Sequence, residues 1–424
     1  MKKRNKKHEK RMKKLVVACG LCAILLAVST YAWFIGMKTV NVSSFDVKIA
    51  SIDSLLLSLD GSEWKDTVEI NSSNFNTASY ANNTNSWGGE GLIPMSTVGK
   101  INPASSRLTL YEKGSFTETP GGYRIMASEV ENTGSTEMDG YVAFDLFIKN
   151  LSGNAYYKTL NELNEEAIYL TSDSKVEVAM GGVDNTGIEN SVRVAFAQIG
   201  RVVATTDNVS TITGITCATA GDVTGICEDR DAQIWEPNDT KHVQNAINWY
   251  TKSCLKRKSG TDGADLTKES AYSGSCATIE NGYSYPTYAV SGVIDETDQV
   301  DVYDGLAYNS YTGSTAASAT KGKLMAFDYF TDSEKNLLGT ERPTFITLAP
   351  NSITKVRVYI YIEGQDVDNY DFASLGKKIS VAFGFTKERF YGEDVEYNDS
   401  QTATLPDDVI RANHWEEITT KSDN

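Results

Sequence analysis

Apolar and polar side chains alternate in short runs along most of this chain. Residues 141–149 place Val142, Phe144, Leu146 and Ile148 on one face and Tyr141, Ala143, Asp145 and Phe147 on the other. Residues 354–363 set Val356, Val358, Ile360 and Ile362 inward, with Arg357, Tyr359, Tyr361 and Glu363 facing out. A period of two predicts strands that rest one face on a core. Weaker forms of the same beat predict strands at 39–49, 55–59, 107–111, 123–129, 167–171, 176–180, 191–198, 200–205, 344–348 and 377–386. Helical spacing is confined to 160–166 and to 239–250, where Val243, Ala246, Ile247 and Tyr250 share a side. The stretch 72–91, rich in Asn, Ser, Thr and Gly, reads as a long surface loop that buries little. With no heptad or short internal repeat, the pattern predicts an all-β chain, a β-sandwich of jelly-roll-like type.

One run breaks the alternation. Residues 15–35 are uncharged and almost wholly apolar, and the fourteen residues before them hold nine Lys and Arg against Glu9 alone. A basic flank of net charge +8 stays on the cytoplasmic side while the following segment crosses. At roughly 1.5 Å per residue, this apolar stretch of 21 residues can span a bilayer core as an N-terminal helix. Thr30-Tyr31-Ala32 puts small residues where a signal peptidase reads, so cleavage is expected between Ala32 and Trp33, an uncleaved membrane anchor being the alternative. The expected organisation is a signal peptide or anchor at 1–32 and the first part of the sandwich at 33–205. A cysteine- and tyrosine-rich insertion follows at 206–340, then closing strands at 341–390 and a polar tail at 391–424.

The end of that leader, Ala27-Val28-Ser29-Thr30-Tyr31-Ala32-Trp33-Phe34, resembles the leaders of the secreted proteins of Gram-positive bacteria typified by camelysin and TasA. A fainter likeness covers 356–363 and the Gly364-Gln365-Asp366 that follows. The resemblance implies a dedicated signal peptidase as partner, a β-sandwich fold, and residence in the matrix at the cell surface. In the fibre-forming branch it also implies self-association, with the new N-terminus completing a neighbour's sheet.

Charge and cysteine usage sharpen the compartment. Taking the leader's +8 from the formal net charge of −16 leaves −24 on the rest of the chain. So acidic a surface disfavours nucleic acid as a partner. Cys19 and Cys22 lie in the leader, while Cys217, Cys227, Cys254 and Cys276 lie beyond it. Four cysteines in an exported chain suit disulfides. Three pairings are possible, and Cys217 with Cys227 and Cys254 with Cys276 close local loops.

Motifs for chemistry are sparse. The chain has three histidines, His8, His242 and His414, and none sits in the His-Glu-x-x-His pattern of a zinc peptidase. Neither a Gly-x-Ser-x-Gly nucleophile turn nor a phosphate-binding glycine loop is present, so the chain reads as no enzyme. The stretch Ile234 to Thr240 ahead of His242 reads as a helix start, with Asn238, Asp239 or Thr240 as its cap and Trp235 in a core. Two acidic groups invite a calcium reading: Asp295, Asp298, Asp301 and Asp304 at every third position, and Asp366, Asp368 and Asp371 after a strand. Both lack EF-hand spacing, and solvated turns are the alternative. The expected function is that of a secreted or cell-surface structural protein, a subunit or accessory of an extracellular matrix or fibre. The second reading is a surface adhesin that uses Tyr272, Tyr283, Tyr285, Tyr288, Tyr303, Tyr308 and Tyr311 as contact area.

Overall fold

Twelve consecutive buried residues, Ser352–Glu363, form the central strand of the larger of the two main sheets. It lies antiparallel between Val142–Asn150 and Val192–Val203. The computed structural model that carries this sheet describes residues 45–248 and 344–387, apart from 370–377 and shorter breaks. It also describes the strand pieces Tyr288–Val290, Leu324–Ala326, Phe330–Thr331, Glu396–Tyr397 and Ala403–Thr404.

The inward residues of the three long strands behave as their alternation predicts. Val356, Val358, Ile360 and Ile362 join Val142, Phe144, Leu146, Ile148, Val192, Val194 and Phe196 in one apolar core. A second sheet closes that core from the other side. Its order is Ile346–Leu348, Glu166–Leu170, Ile379–Thr386, Phe45–Ser51, Thr67–Asn71, with Lys175–Val178 also paired to Ile379–Thr386. From it come Val47, Ile49, Ile70, Ile168, Val381, Phe383 and Phe385. Phe196 sits at the centre, its ring edge-on to Phe345 at 4.9 Å and to Phe383 at 5.0 Å. Edge-to-face rings add to the burial term at such distances. Two sheets sharing one apolar interior make a β-sandwich.

The sandwich's first strand, Phe45–Ser51, is an interior one. It runs parallel to Ile379–Thr386 over seven paired positions and antiparallel to Thr67–Asn71 on its other edge. Leu55–Ser58 crosses to the larger sheet and pairs with Val142–Asn150. On its far side the larger sheet continues through Gln233–Trp235 to Phe330–Thr331, and through Pro94–Ser96 to the hairpin Tyr111–Thr119 and Gly122–Glu129. The described parts of 206–340 thus include strands of this same sheet, Thr224–Gly225 being another beside Val192–Val203.

The outer face of the central strand is where the structure departs most from expectation. Arg357, Tyr359, Tyr361 and Glu363 do not meet water; each is at most 4 % exposed. A further layer, drawn largely from 101–110, 130–138 and 209–232, covers them with a second core that includes Leu108, Leu110, Ile212, Ile215 and Ala232, joined by Met95 and Ile234 from the sheet's own strands. Alternation alone reports which residues share a face, not what lies against it.

Three smaller corrections have local causes. The polar stretch 72–91 is no passive loop, since Phe75 and Trp87 pack on the main core with ring centroids 4.9 Å apart and Tyr80 packs on the second. The helix expected over 160–166 is a single 3-10 turn, Glu162–Asn164, because Glu166 already pairs with Leu348 as a strand residue. Of the helix expected over 239–250, positions 244–246 and 248 are helical.

Cys217 and Cys227 are joined in a disulfide with Cα atoms 5.3 Å apart, and both are buried in the second core. Cys254 and Cys276 lie outside the described residues, as do Ala32, Trp33 and the whole leader, and Asp295, Asp298, Asp301 and Asp304. Tyr272, Tyr283, Tyr285, Tyr303, Tyr308 and Tyr311 lie outside them too, whereas Tyr288 opens a short strand. Among the described residues no helix is long and apolar enough to cross a membrane.

Because Phe196 bridges both sheets, Phe196→Ala should destabilise the fold by about 3–5 kcal/mol. Urea denaturation should register this as a lowered midpoint at unchanged slope.

Candidate functional site

The chemically distinctive region is the covered outer face of the larger sheet, where charged side chains are held out of water. Small residues on the flanking strands make room for them. Ala143 and Ala195 lie opposite Tyr359, Ala197 lies opposite Arg357, and Gly200 lies opposite Lys355. Tyr359 therefore spreads over short neighbours on both sides, and Arg357 and Lys355 over a short neighbour on the Val192–Val203 side.

The first cluster centres on Asp145, which faces Arg357 directly across the ladder. Arg357 donates through Nε to Oδ1 at 2.8 Å and through Nη2 to Oδ2 at 3.2 Å, a two-pronged contact that fits the planar guanidinium. Tyr80 donates its hydroxyl to Asp145 Oδ2 at 2.5 Å, and Lys355 Nζ donates to that hydroxyl at 3.0 Å. Beyond Arg357 lies Glu137, which accepts from Tyr359 and Tyr141, each at 2.8 Å, and from Asn132. Arg107 reaches the same carboxylate at 3.7 Å and anchors itself on the carbonyl of Asn132. Burial resists the charge on Asp145, but the adjacent Arg357 and Lys355 outweigh it and hold the carboxyl well below its usual range. Burial, followed by the Glu137 charge, pushes the Tyr141 and Tyr359 hydroxyls up, so they remain proton donors.

A second cluster lies at the other end of the face, where Arg193 stands opposite Tyr361. Arg193 pairs with Glu236, next to Trp235, and with Asp366 Oδ2 at 2.5 Å in the turn after the central strand. Two residues on, Asp368 receives the backbone N–H of Val243 at 2.9 Å, and its Oδ2 lies 2.8 Å from His242 Nδ1. Asn238 does not adjoin the helical positions, which begin at 244, and Asp239 and Thr240 lie outside the described residues. The Asn238 amide donates to the carbonyls of Val176 and Glu189, each at 3.0 Å, and the oxygen at the start of the helical turn comes from Asp368. Burial and the neighbouring Asp366 push the Asp368 carboxyl up to about 6, with the His242 bond acting against them.

Smaller clusters repeat the theme. Glu165 binds Arg201 at 2.5 Å, Arg230 at 2.7 Å and the Thr347 hydroxyl at 2.8 Å, joining both sheets at one edge.

Such an arrangement can lock layers together. Paired charges out of water have strict geometric demands, since a partner displaced by one position leaves a buried ion uncompensated. Asp366 and Asp368, read from the sequence as a calcium candidate, are committed to Arg193 and His242, and Asp371 lies outside the described residues. Among the described residues no group of three or more His, Cys, Asp or Glu side chains is arranged to hold a metal ion. Sequence reasoning missed Tyr80, Glu137 and Asp145 as partners. The available signal was the row of Ala and Gly at 143, 195, 197 and 200, too small to cover the long polar side chains between them. Comparison with known protein families, with characterised proteins and with solved structures finds no match to this chain.

Removing one member of the central pair should cost far more than removing both. Asp145→Ala should lower stability by about 3–5 kcal/mol, and the double change Asp145→Leu with Arg357→Met, made in a Lys355→Met background because Lys355 Nζ lies 3.4 Å from the same carboxylate, should recover most of it. A urea-denaturation cycle over the two single variants and the double checks this.

The two aspartates bend the pH profile in opposite directions. With a depressed pKa in the fold, Asp145 contributes stability that is present above its ordinary value of 3.8 and lost as pH falls below it. With a raised pKa, Asp368 binds its proton more tightly folded than unfolded, so its contribution is full below 3.8 and is lost as pH rises to about 6. Asp368→Asn should abolish the fall between those limits, read from denaturation midpoints at half-unit steps of pH.

Proposed function

We propose that this chain is a structural protein of the cell exterior, exported by its basic and apolar leader and serving as a subunit or accessory of an extracellular matrix or fibre. It acts as material rather than as a catalyst. Its partners on this reading are the membrane and a signal peptidase during export, then further copies of itself, and not nucleic acid. The likeness of the leader to camelysin and TasA leaders motivates the proposal, and a jelly-roll-like wiring of the sandwich belongs to it.

One observation carries the reading: the way the first strand is built in. Phe45–Ser51 begins shortly after the apolar stretch ends at Ile35, and it lies parallel to Ile379–Thr386 with seven paired positions. Tension applied between the start of one strand and the end of the other loads that ladder in shear, so its hydrogen bonds share the force instead of opening one at a time. A protein that serves as material benefits from this geometry. In the fibre form, the same strand supplied by a second copy makes the same ladders by inserting between Ile379–Thr386 and Thr67–Asn71 in place of the chain's own strand. The Cys217–Cys227 disulfide supports an oxidising compartment.

N-terminal sequencing of chain recovered from the medium or cell surface should find Trp33 first. Recovery only from the cytosol, uncut and with Cys217 and Cys227 reduced, overturns export. Electron microscopy of chain starting at Trp33 should show filaments that are lost when residues 33–37 are deleted. Monomers in both cases reject the fibre form.

A further inference from the structure

One polar cluster takes no part in the networks described so far, and its composition is chemically unusual. Asn150 ends the Val142–Asn150 strand of the larger sheet and is fully buried. Glu166 opens the Glu166–Leu170 strand of the smaller sheet, and Lys387 directly follows Ile379–Thr386 in that sheet. Lys387 Nζ lies 3.1 Å from Asn150 Oδ1 and 3.0 Å from Glu166 Oε2, with its side chain 11 % exposed. The same Glu166 oxygen accepts from Asn150 Nδ2 at 2.8 Å. A single carboxylate oxygen thus touches both an amine and the amide nitrogen of the carboxamide beside it.

The surroundings suit attack on that carboxamide. Asn150 Oδ1 accepts from the backbone N–H of Ser152 at 3.2 Å and from Lys387 Nζ at 3.1 Å, while the Ser152 hydroxyl, 2.7 Å from the same oxygen, has one proton and contacts Glu166 as well. Donors fixed on a carbonyl oxygen stabilise the negative charge that develops there when a nucleophile adds. Asn150 Nδ2 also donates to the carbonyl of Ala349 at 3.1 Å, which fixes the plane of the amide. Burial resists ionisation of Glu166, but hydrogen bonds from Ser152, Asn150 and Lys387 hold its carboxyl below the ordinary range, in the base form. A nucleophile, a base and a polarised acceptor held within contact distance convert a bimolecular reaction into an intramolecular one.

We infer that Lys387 and Asn150 form an intramolecular isopeptide bond, with Glu166 as the proton carrier. Glu166 takes one proton from the Lys387 ammonium, and the neutral amine adds to Asn150 Cγ, forming the new carbon–nitrogen bond as the carbonyl electron pair moves to Oδ1. Glu166 then delivers that proton to Nδ2. The Cγ–Nδ2 bond breaks with its electron pair leaving on nitrogen, the carbonyl re-forms, and the second proton released by Nζ passes to Glu166. The products are a secondary amide, ammonia and the protonated carboxyl, which leave as ammonium and carboxylate once that proton is passed on. No oxidant or other reactant is needed. The bond ties the two sheets together across 237 positions of sequence, independently of the disulfide.

Intact-mass measurement of the folded full chain, denatured and reduced, tests this. The expected mass falls short of the sequence by one ammonia, allowing for the N-terminus found. Digestion should yield a branched peptide in which tandem fragmentation places the link between Asn150 and Lys387. Lys387→Arg, which keeps the positive charge but not the primary amine, should restore the full mass, as should Glu166→Gln, which removes the base. Cooperative melting of each variant shows that it has folded, and Lys387→Met replaces any lysine variant that has not. Folded wild-type chain of full mass overturns the proposal. So does ammonia loss that persists in a folded Lys387 variant, because cyclisation of an asparagine on its own backbone gives the same mass change without the lysine. Ammonia loss that persists in Glu166→Gln overturns the role of Glu166.

Discussion

A central strand that is buried on both faces and yet carries Lys355, Arg357 and Glu363 is the constraint on which the rest of the structure turns. A strand in that position must either be apolar throughout or bring its own counter-charges into the interior, because an unpaired buried ion costs several kcal/mol. This chain takes the second course. Asp145 answers Arg357 from one adjacent strand, and Ser96, on the strand Pro94–Ser96 paired to the end of the central one, donates its hydroxyl to Glu363 at 3.1 Å. Those partners lie far apart in sequence, so the chain must reach its full register before the central strand can be buried.

Layer order follows from this. One face of the larger sheet carries branched aliphatic residues that any apolar surface would satisfy, and the smaller sheet supplies it. The other face accepts only a covering layer whose polar groups fall at set places: Glu137 beneath Tyr359 and Tyr141, and Glu236 and Asp366 around Arg193. Apolar packing supplies most of the stabilisation, and the ion pairs select one arrangement among those that bury similar area. Buried ionic groups are not always selective in this way, and here the cost of unpairing Asp145 relative to replacing the pair measures it.

The ends of the sandwich bear on its proposed role. Its first strand is held on both edges, in parallel to the strand that ends at Thr386, and Lys387 just beyond that strand reaches back to the other sheet at Asn150. Strength is thus concentrated where tension would enter and leave. An exterior material benefits from this, and an amide link at Asn150 would extend it by making the join between sheets covalent.

Period and composition determined a good part of this. The strands Val142–Asn150, Ser352–Glu363 and Ile379–Thr386 were legible because their inward residues alternate without interruption, and Phe45–Ser51 was legible for the same reason. The local disulfide was legible from spacing, since Cys217 and Cys227 stand ten positions apart. Only the tertiary structure decided that the polar face of the central strand is interior, that Phe75, Tyr80 and Trp87 make an Asn-rich stretch part of two cores, and that Asp366 and Asp368 meet Arg193 and His242. It also brought Asn150, Glu166 and Lys387 together from three strand ends. The physical reason is range: alternation is a property of neighbours along the chain, whereas the partner of a buried charge is set by which distant strand lies beside it.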